Sequence, residues 1–314
     1  MTVINQSLKP VSFDKDKKVP KLAMLRQREA WYFLLPMLIV LGFVALWPLT
    51  RTFYFSLTNA SLTSPELAEF IGLENYYYLV TDPSWWKSVS NTLYFAVISV
   101  SIETVLGLAI ALILNTNMPT KGLMRAVVLV PWAIPTIVSA RMWEWMFHDQ
   151  FGVINQILLS LGIIGEKIAW TADPNWSMSA IIFVDVWKTT PFMTLLILAG
   201  LQLLPKEVYE AAKVDNVSAW NRFLYITLPL IKPAILVAVV FRLLDALRMF
   251  DLAYVLTSSS ESTMTMSVYA RKQLVDFQDM GYGSAASTLL FFIVALVTVL
   301  YLYLSKAHAS RSEQ

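Results

Sequence analysis

Six stretches of this chain are long and apolar enough to cross a lipid bilayer, and no other feature narrows its fold so far. A helix needs roughly 20 such residues to span the hydrocarbon core. The windows are Trp31–Thr50, Thr92–Leu114, Ala126–Phe147, Ala180–Leu201, Ala234–Thr257 and Ala285–Leu304. The first and last carry no charge at all. Lipid offers the backbone no hydrogen-bond partner, so spanning segments of this length are helices. The expected class is an all-α integral membrane protein, a bundle of six transmembrane helices. Composition agrees, with 57% of 314 residues hydrophobic and 15% charged, where a soluble domain carries about 25% charged residues.

An even number of spans puts both termini on one side. The head, residues 1–30, carries Lys9, Lys15, Lys17, Lys18, Lys21, Arg26 and Arg28, which the positive-inside rule keeps in the cytoplasm. The same parity places Lys121, Arg125, Lys206, Lys213, Arg222, Lys232, Lys306 and Arg311 inside. Glu66, Glu69, Glu74, Asp82, Asp149, Glu166 and Asp173 fall in the outer loops. The expected organisation is a cytoplasmic tail (1–30), a six-helix domain (31–304) and a second cytoplasmic tail (305–314). The first 20 residues are polar enough to read as a plain topogenic tail. Val153, Ile154, Ile157, Leu158 and Leu161 form one helical stripe, expected to lie along the outer membrane surface. Trp31, Trp47, Trp85 and Trp86 suit the membrane interface.

Several chemistries are excluded or weakened by what is missing. The chain has no cysteine, so it holds no disulfide and no thiolate metal site. Its two histidines, His148 and His308, argue against a histidine metal or catalytic centre. There is no G-x-x-x-x-G-K-[ST] phosphate cradle, no H-E-x-x-H and no G-x-S-x-G.

Charges inside the spans are expensive, roughly 2.5–3.5 kcal/mol each on insertion scales. Glu103, Arg141, Glu144, Asp185, Lys188, Arg242, Asp245, Arg248 and Asp251 all fall within the windows. Opposite charges three residues apart are helix neighbours, so most of these can neutralise locally. On a continuous helix, Arg242, Asp245, Arg248 and Asp251 wind across half its surface. Glu103 has no local counter-charge. Pro191 is placed to bend or open the fourth span. A translocation path for a polar molecule is the functional reading of this set, with Glu144, Asp185, Trp187, Lys188, Thr189, Arg242, Asp245, Arg248 and Asp251 as its candidate lining. Structural ion pairing is the plain alternative.

Between the fourth and fifth windows lies a polar, amphipathic segment, 205–230. Pro205 suits a helix start and Lys206–Val214 is built of good helix formers. Asp215-Asn216 interrupts the run, and Asn accepts a left-handed helix-ending conformation. Ser218 can cap a second helix, Ala219–Thr227, expected to end at Leu228-Pro229.

Glu210-Ala211-Ala212, then Asp215, Phe223, Ile226, Leu228 and Pro229, resemble the EAA signature of permease subunits of ATP-binding-cassette (ABC) importers. Asn216 stands where that family usually has Gly. "VWKTTPFMTLLILAGLQLLP" and "FRLLDALRMFDLAYVLT" are similar to the maltose- and trehalose-type branch. The resemblance covers spans two to six. It implies the type I importer permease (MetI-like) fold and a coupling segment, Glu210, Ala211, Ala212, Asp215, Asn216, Leu228 and Pro229, seated in an ATPase subunit. It further implies a second homologous permease, two ABC ATPase subunits that bind ATP and Mg, and an extracytoplasmic sugar-binding protein. The chain itself would hold no cofactor and have no nucleic-acid partner. An ion-coupled secondary transporter is the rival reading; it fits the buried charges but has no use for the polar segment. A membrane-embedded enzyme is a second rival, to be revived by turnover on the purified chain.

Overall fold

A computed structural model describes residues 21–116, 119–258 and 260–311, without the side chains of 21–27 and 306–311. The topogenic head up to residue 20, and the side chains of Lys306 and Arg311, lie outside the described residues. Within them, five helices are long and apolar enough to cross a membrane: Arg28–Ser56, Pro83–Leu114, Ser177–Gln202, Ala219–Ala246 and Met280–Ser305. A sixth candidate, Lys121–Ala133 with Thr136–Met146, is bent by 86° at its break. No strand forms among the described residues, only the isolated bridges Thr58–Phe70 and Ser61–Asp279. In chain order these helices are spans one to six, the bent pair being span three.

The chain divides into two compact units, Met1–Arg51 and Thr52–Gln314. The first holds most of span one, an apolar helix with Pro36 inside it and a π-turn at Gly42–Leu46. The second holds spans two to six and the core. Asp82 starts span two by accepting from the Ser84 N–H at 2.8 Å, with Pro83 in the first turn. That arrangement caps an end donor, and proline has no N–H there to waste.

Lipid tails are as apolar as leucine, so helices in a bilayer associate through close packing rather than water release. Spans two and four make the broadest contact. At Gly107 an added Cβ would meet Met193 Cγ at 2.8 Å. At Gly200 it would meet Ala234 Cβ at 2.3 Å, so spans four and five pass in near backbone contact beside the hairpin that joins them.

Three expectations need correction. Trp85 is a packing residue rather than an exposed interfacial anchor; it is fully buried, edge-on to Tyr269 with centroids 5.4 Å apart. The phenol of Tyr269 bonds both Asp82 and Tyr282. Burial first, and the Asp82 contact next, hold that phenol well above its ordinary pKa, so it stays a donor. Second, the fifth window is not one helix to Thr257: span five ends at Ala246, and a short helix, Asp251–Thr257, follows a break. The Met249 carbonyl freed there accepts from Thr265 Oγ1 at 2.9 Å. Third, the hairpin's second helix does not stop at Leu228-Pro229. It runs through a π-turn, Phe223–Thr227, into span five. Proline cannot donate to the preceding turn and crowds its carbonyl; the wider turn just before Pro229 gives the ring room.

The helix expected at Val153–Leu161 forms over Val153–Ser160. Its anchor is the buried Asn155, which donates to the Ile168 carbonyl at 2.9 Å and accepts from Trp170 Nε1 at 2.9 Å. Val153, Ile157 and Leu161 of the stripe remain exposed.

Candidate functional site

The buried charges converge on one guanidinium. Arg242 on span five is 1% exposed, Glu103 on span two 0% and Asp185 on span four 4%. Arg242 Nε donates to Glu103 Oε2 at 2.5 Å and Nη2 to Glu103 Oε1 at 3.0 Å. Nη2 also bonds Asp185, and Nη1 donates to Asp245 Oδ2 at 2.8 Å. The Thr189 hydroxyl donates to Glu103 Oε1 at 2.6 Å, and Ser99 Oγ bonds both Glu103 and Asp185. A planar fork with five donors suits this use, since it meets three carboxylates in fixed directions. Glu103, without a local partner in sequence, therefore finds one 139 residues away.

Beside this knot opens a polar cleft of about 260 Å³. Of the candidate path residues it gathers Asp185, Lys188, Thr189, Arg242, Asp245, Arg248 and Asp251. The Asp245 side chain is 71% exposed, although bonded to the buried Arg242. Trp132, Thr136, Met249, Phe250 and Leu252 complete the lining. The cleft exists because two helices break beside it, span three at Ile134-Pro135 and span five after Ala246. Arg248 lies in the second break, where its Nε donates to the Leu244 carbonyl at 2.9 Å.

Two candidates stand elsewhere. Trp187 packs edge-on to Trp143, centroids 5.4 Å apart, in an aromatic cluster with Phe147 and Phe183. Glu144 accepts from Arg141 at 2.7 Å on an exposed face. Arg141 lines a second polar hollow of about 410 Å³ with Tyr254, Ser258, Arg271, Lys272 and Asp276. Local neutralisation holds for Arg141–Glu144 and Arg242–Asp245. It does not hold for Lys188, which lies three residues from Asp185 and donates instead to the Ile134 carbonyl at 2.9 Å. Trp132 and Thr136 were missed, although Pro131 precedes the break and Pro135 lies in it. Phe250 had no such sign, because its break contains neither Gly nor Pro.

The polar segment forms a helix over Lys206–Val214 and a tight turn. Asn216 takes φ 54°, its N–H donating to the Lys213 carbonyl at 3.1 Å and that of Val217 to Ala212 at 3.0 Å. Those paired bonds are a Schellman ending. Ser218 caps the next helix by accepting from the Asn221 N–H at 3.3 Å. The Tyr209 hydroxyl donates to Thr227 Oγ1 at 3.1 Å and closes the hairpin. Ala212 and Leu228 face inward, while Glu210, Ala211, Asp215, Asn216 and Pro229 are exposed. Val214 (86% exposed), Trp220 (66%) and Tyr225 (76%) add apolar surface to the same segment. Asn216→Gly should leave the hairpin as protected in hydrogen exchange as the native chain. Asn216→Val should loosen it by roughly 1–2 kcal/mol, the penalty of a branched residue in this conformation.

A helical bundle with a polar cleft between broken spans and a hydrogen-bonded polar hairpin joining two of them defines a multi-pass membrane transport protein. Residues 103–311 match the family described as binding-protein-dependent transport system inner membrane component, and the chain belongs to that family. It is a permease subunit of an ABC importer in the cytoplasmic membrane, and not an enzyme. The chain is 45% identical over 283 residues to the trehalose/maltose transport system permease protein MalF of Thermococcus litoralis, covering 88% of this chain and 95% of that one. It is 38% identical over 291 residues to the trehalose transport system permease protein SugA of Mycobacterium tuberculosis, covering 92% of each. Among solved structures, a bacterial ABC transporter involved in the import of alginate has a chain of the same fold. The match has a TM-score of 0.77 at 20% identity and covers 90% of this chain and 97% of that one.

Proposed function

We propose that this chain, with a second homologous permease, forms the translocation path for a sugar of disaccharide size, such as trehalose, maltose or a related glucoside. An extracytoplasmic binding protein delivers the sugar, and two ATPase subunits, which bind ATP and Mg, drive the cycle. The observation that carries the reading is the polar cleft. Asp245, Arg248, Asp251 and Thr189 offer hydroxyl-bonding groups there, and Trp132 and Phe250 offer apolar faces for sugar rings. Its relatives' names, trehalose/maltose and trehalose permeases, support the size and class of substrate.

In this mechanism the hairpin Glu210–Pro229 is a lever. It is continuous with span five and lies beside the close crossing of spans four and five at Gly200 and Ala234. Movement of an ATPase subunit against it therefore reaches both walls of the cleft. A lever transmits only if its affinity for the motor differs between the two states.

The test is uptake by the full complex in proteoliposomes. Trehalose or maltose should enter only with ATP and binding protein. Asp245→Asn should raise the KM for the sugar about tenfold, the equivalent of one lost charged hydrogen bond of ~1.5 kcal/mol. Uptake that ignores ATP and follows an ion gradient would remove the reading.

A further inference from the structure

The elbow of span three leaves backbone carbonyls without helical partners inside an apolar stretch. Ile134 (φ −74°, ψ 132°) and Pro135 (φ −53°, ψ 139°) are both extended, and Pro135 has no N–H to return to the preceding turn. Non-helical backbone at membrane depth survives only where protein or a watery cavity satisfies it. Here the donor comes from another span. Lys188 Nζ donates to the Ile134 carbonyl at 2.9 Å, with the Trp132 carbonyl at 3.5 Å. One turn further along span four, Phe192 stacks on the Trp132 ring, centroids 5.9 Å apart and planes at 15°. Residues i and i+4 share a helix face, so one face of span four grips the elbow twice, by an ammonium and by a ring.

We propose that Lys188 is a positioning residue that holds the elbow of span three against the cleft, and is not a ligand of the transported molecule. Three facts distinguish this from ordinary lining. The residue is buried, 7% exposed. Its ammonium, a donor with no acceptor capacity, is directed at backbone oxygen although Asp185 lies three residues away. And the elbow it holds carries Trp132 and Thr136, two residues of the cleft wall. Asp185, Asp245 and Asp251 line the same cleft, yet the hydrogen bonds of the ammonium go to the elbow.

The chain has no cysteine, so a pair introduced at Val130 and Ile137, exposed positions on either side of the elbow, can be spin-labelled without background in the assembled transporter. The uptake readout rests on the sugar-importer reading; the distance readout does not. Lys188→Met should shift or broaden the 130–137 distance distribution. It should also lower the maximal uptake rate about tenfold while changing KM by less than about twofold. Lys188→Arg, which keeps a charged donor in place, should restore both. An unchanged distribution in Lys188→Met, or a raised KM at unchanged maximal rate, overturns the proposal. Should Lys188→Met fail to accumulate, the pair is read in Lys188→Arg, where a native distribution supports the proposal and a widened one overturns it. An elbow that moves as expected, with no sugar carried even by the native complex, sinks the substrate assignment and leaves this one standing.

Discussion

Arg242→Met should destabilise the bundle by about 3–5 kcal/mol, the usual cost of removing one partner from a buried ionic set. The substitution leaves Glu103 and Asp185, at 0% and 4% exposure, without the guanidinium that bonds both. It also unties three spans at once, because Glu103 is on span two, Asp185 on span four and Arg242 on span five. The detergent-solubilised complex should lose thermal stability, and the amount of inserted chain should fall. Lys is a poor substitute, since a point charge cannot bond three carboxylates in their fixed directions. Adding Glu103→Leu and Asp185→Leu to Arg242→Met should recover most of the loss, because replacing a whole buried set by apolar residues of similar volume is often nearly neutral. A single Arg242→Met variant as stable as the native chain would show that the knot is not what holds these spans.

The second large effect is on coupling. Glu210→Lys and Asp215→Lys should each leave insertion intact, since both side chains are exposed and surface changes typically move stability within about 0.5 kcal/mol. In the proposed lever they meet the ATPase subunit. Reversing the charge should remove a coupling free energy on the order of 1–3 kcal/mol, a factor of about 5–150. ATP hydrolysis and uptake, measured together in proteoliposomes, should then separate: hydrolysis continues while sugar per ATP falls. Native ratios in both variants would remove Glu210 and Asp215 from the docking surface.

Much of the hairpin was legible because its determinants are local. The left-handed conformation at Asn216 and the cap at Ser218 each depend on residues within five positions. Pro229 misled for a related reason. A proline in sequence reads as a helix stop, yet the π-turn at Phe223–Thr227 absorbs it and the helix continues into span five. At the cleft, the break in span three had a written sign in Pro131 and Pro135. The break after Ala246 had none, and Thr265, sixteen residues on, is what accommodates Met249.

By itself the sequence determined where the apolar segments lie, that they are helices, and that one polar hairpin interrupts them with a defined turn. Lipid forces the helices, because it offers the backbone no hydrogen-bond partner except where protein or a cavity supplies one, and the turn follows from Asn216 and Ser218 themselves. Which charge meets which was decided only by the tertiary structure. Lys188 and Asp185 are neighbours on one helix, yet Lys188 turns to the elbow of span three and Asp185 to Arg242, 57 residues away. Spacing along a helix offers a pairing worth about 0.2–0.5 kcal/mol. A buried carbonyl or carboxylate left unsatisfied costs more than that. The partners are therefore chosen by which groups the packing of spans two, three, four and five would otherwise strand.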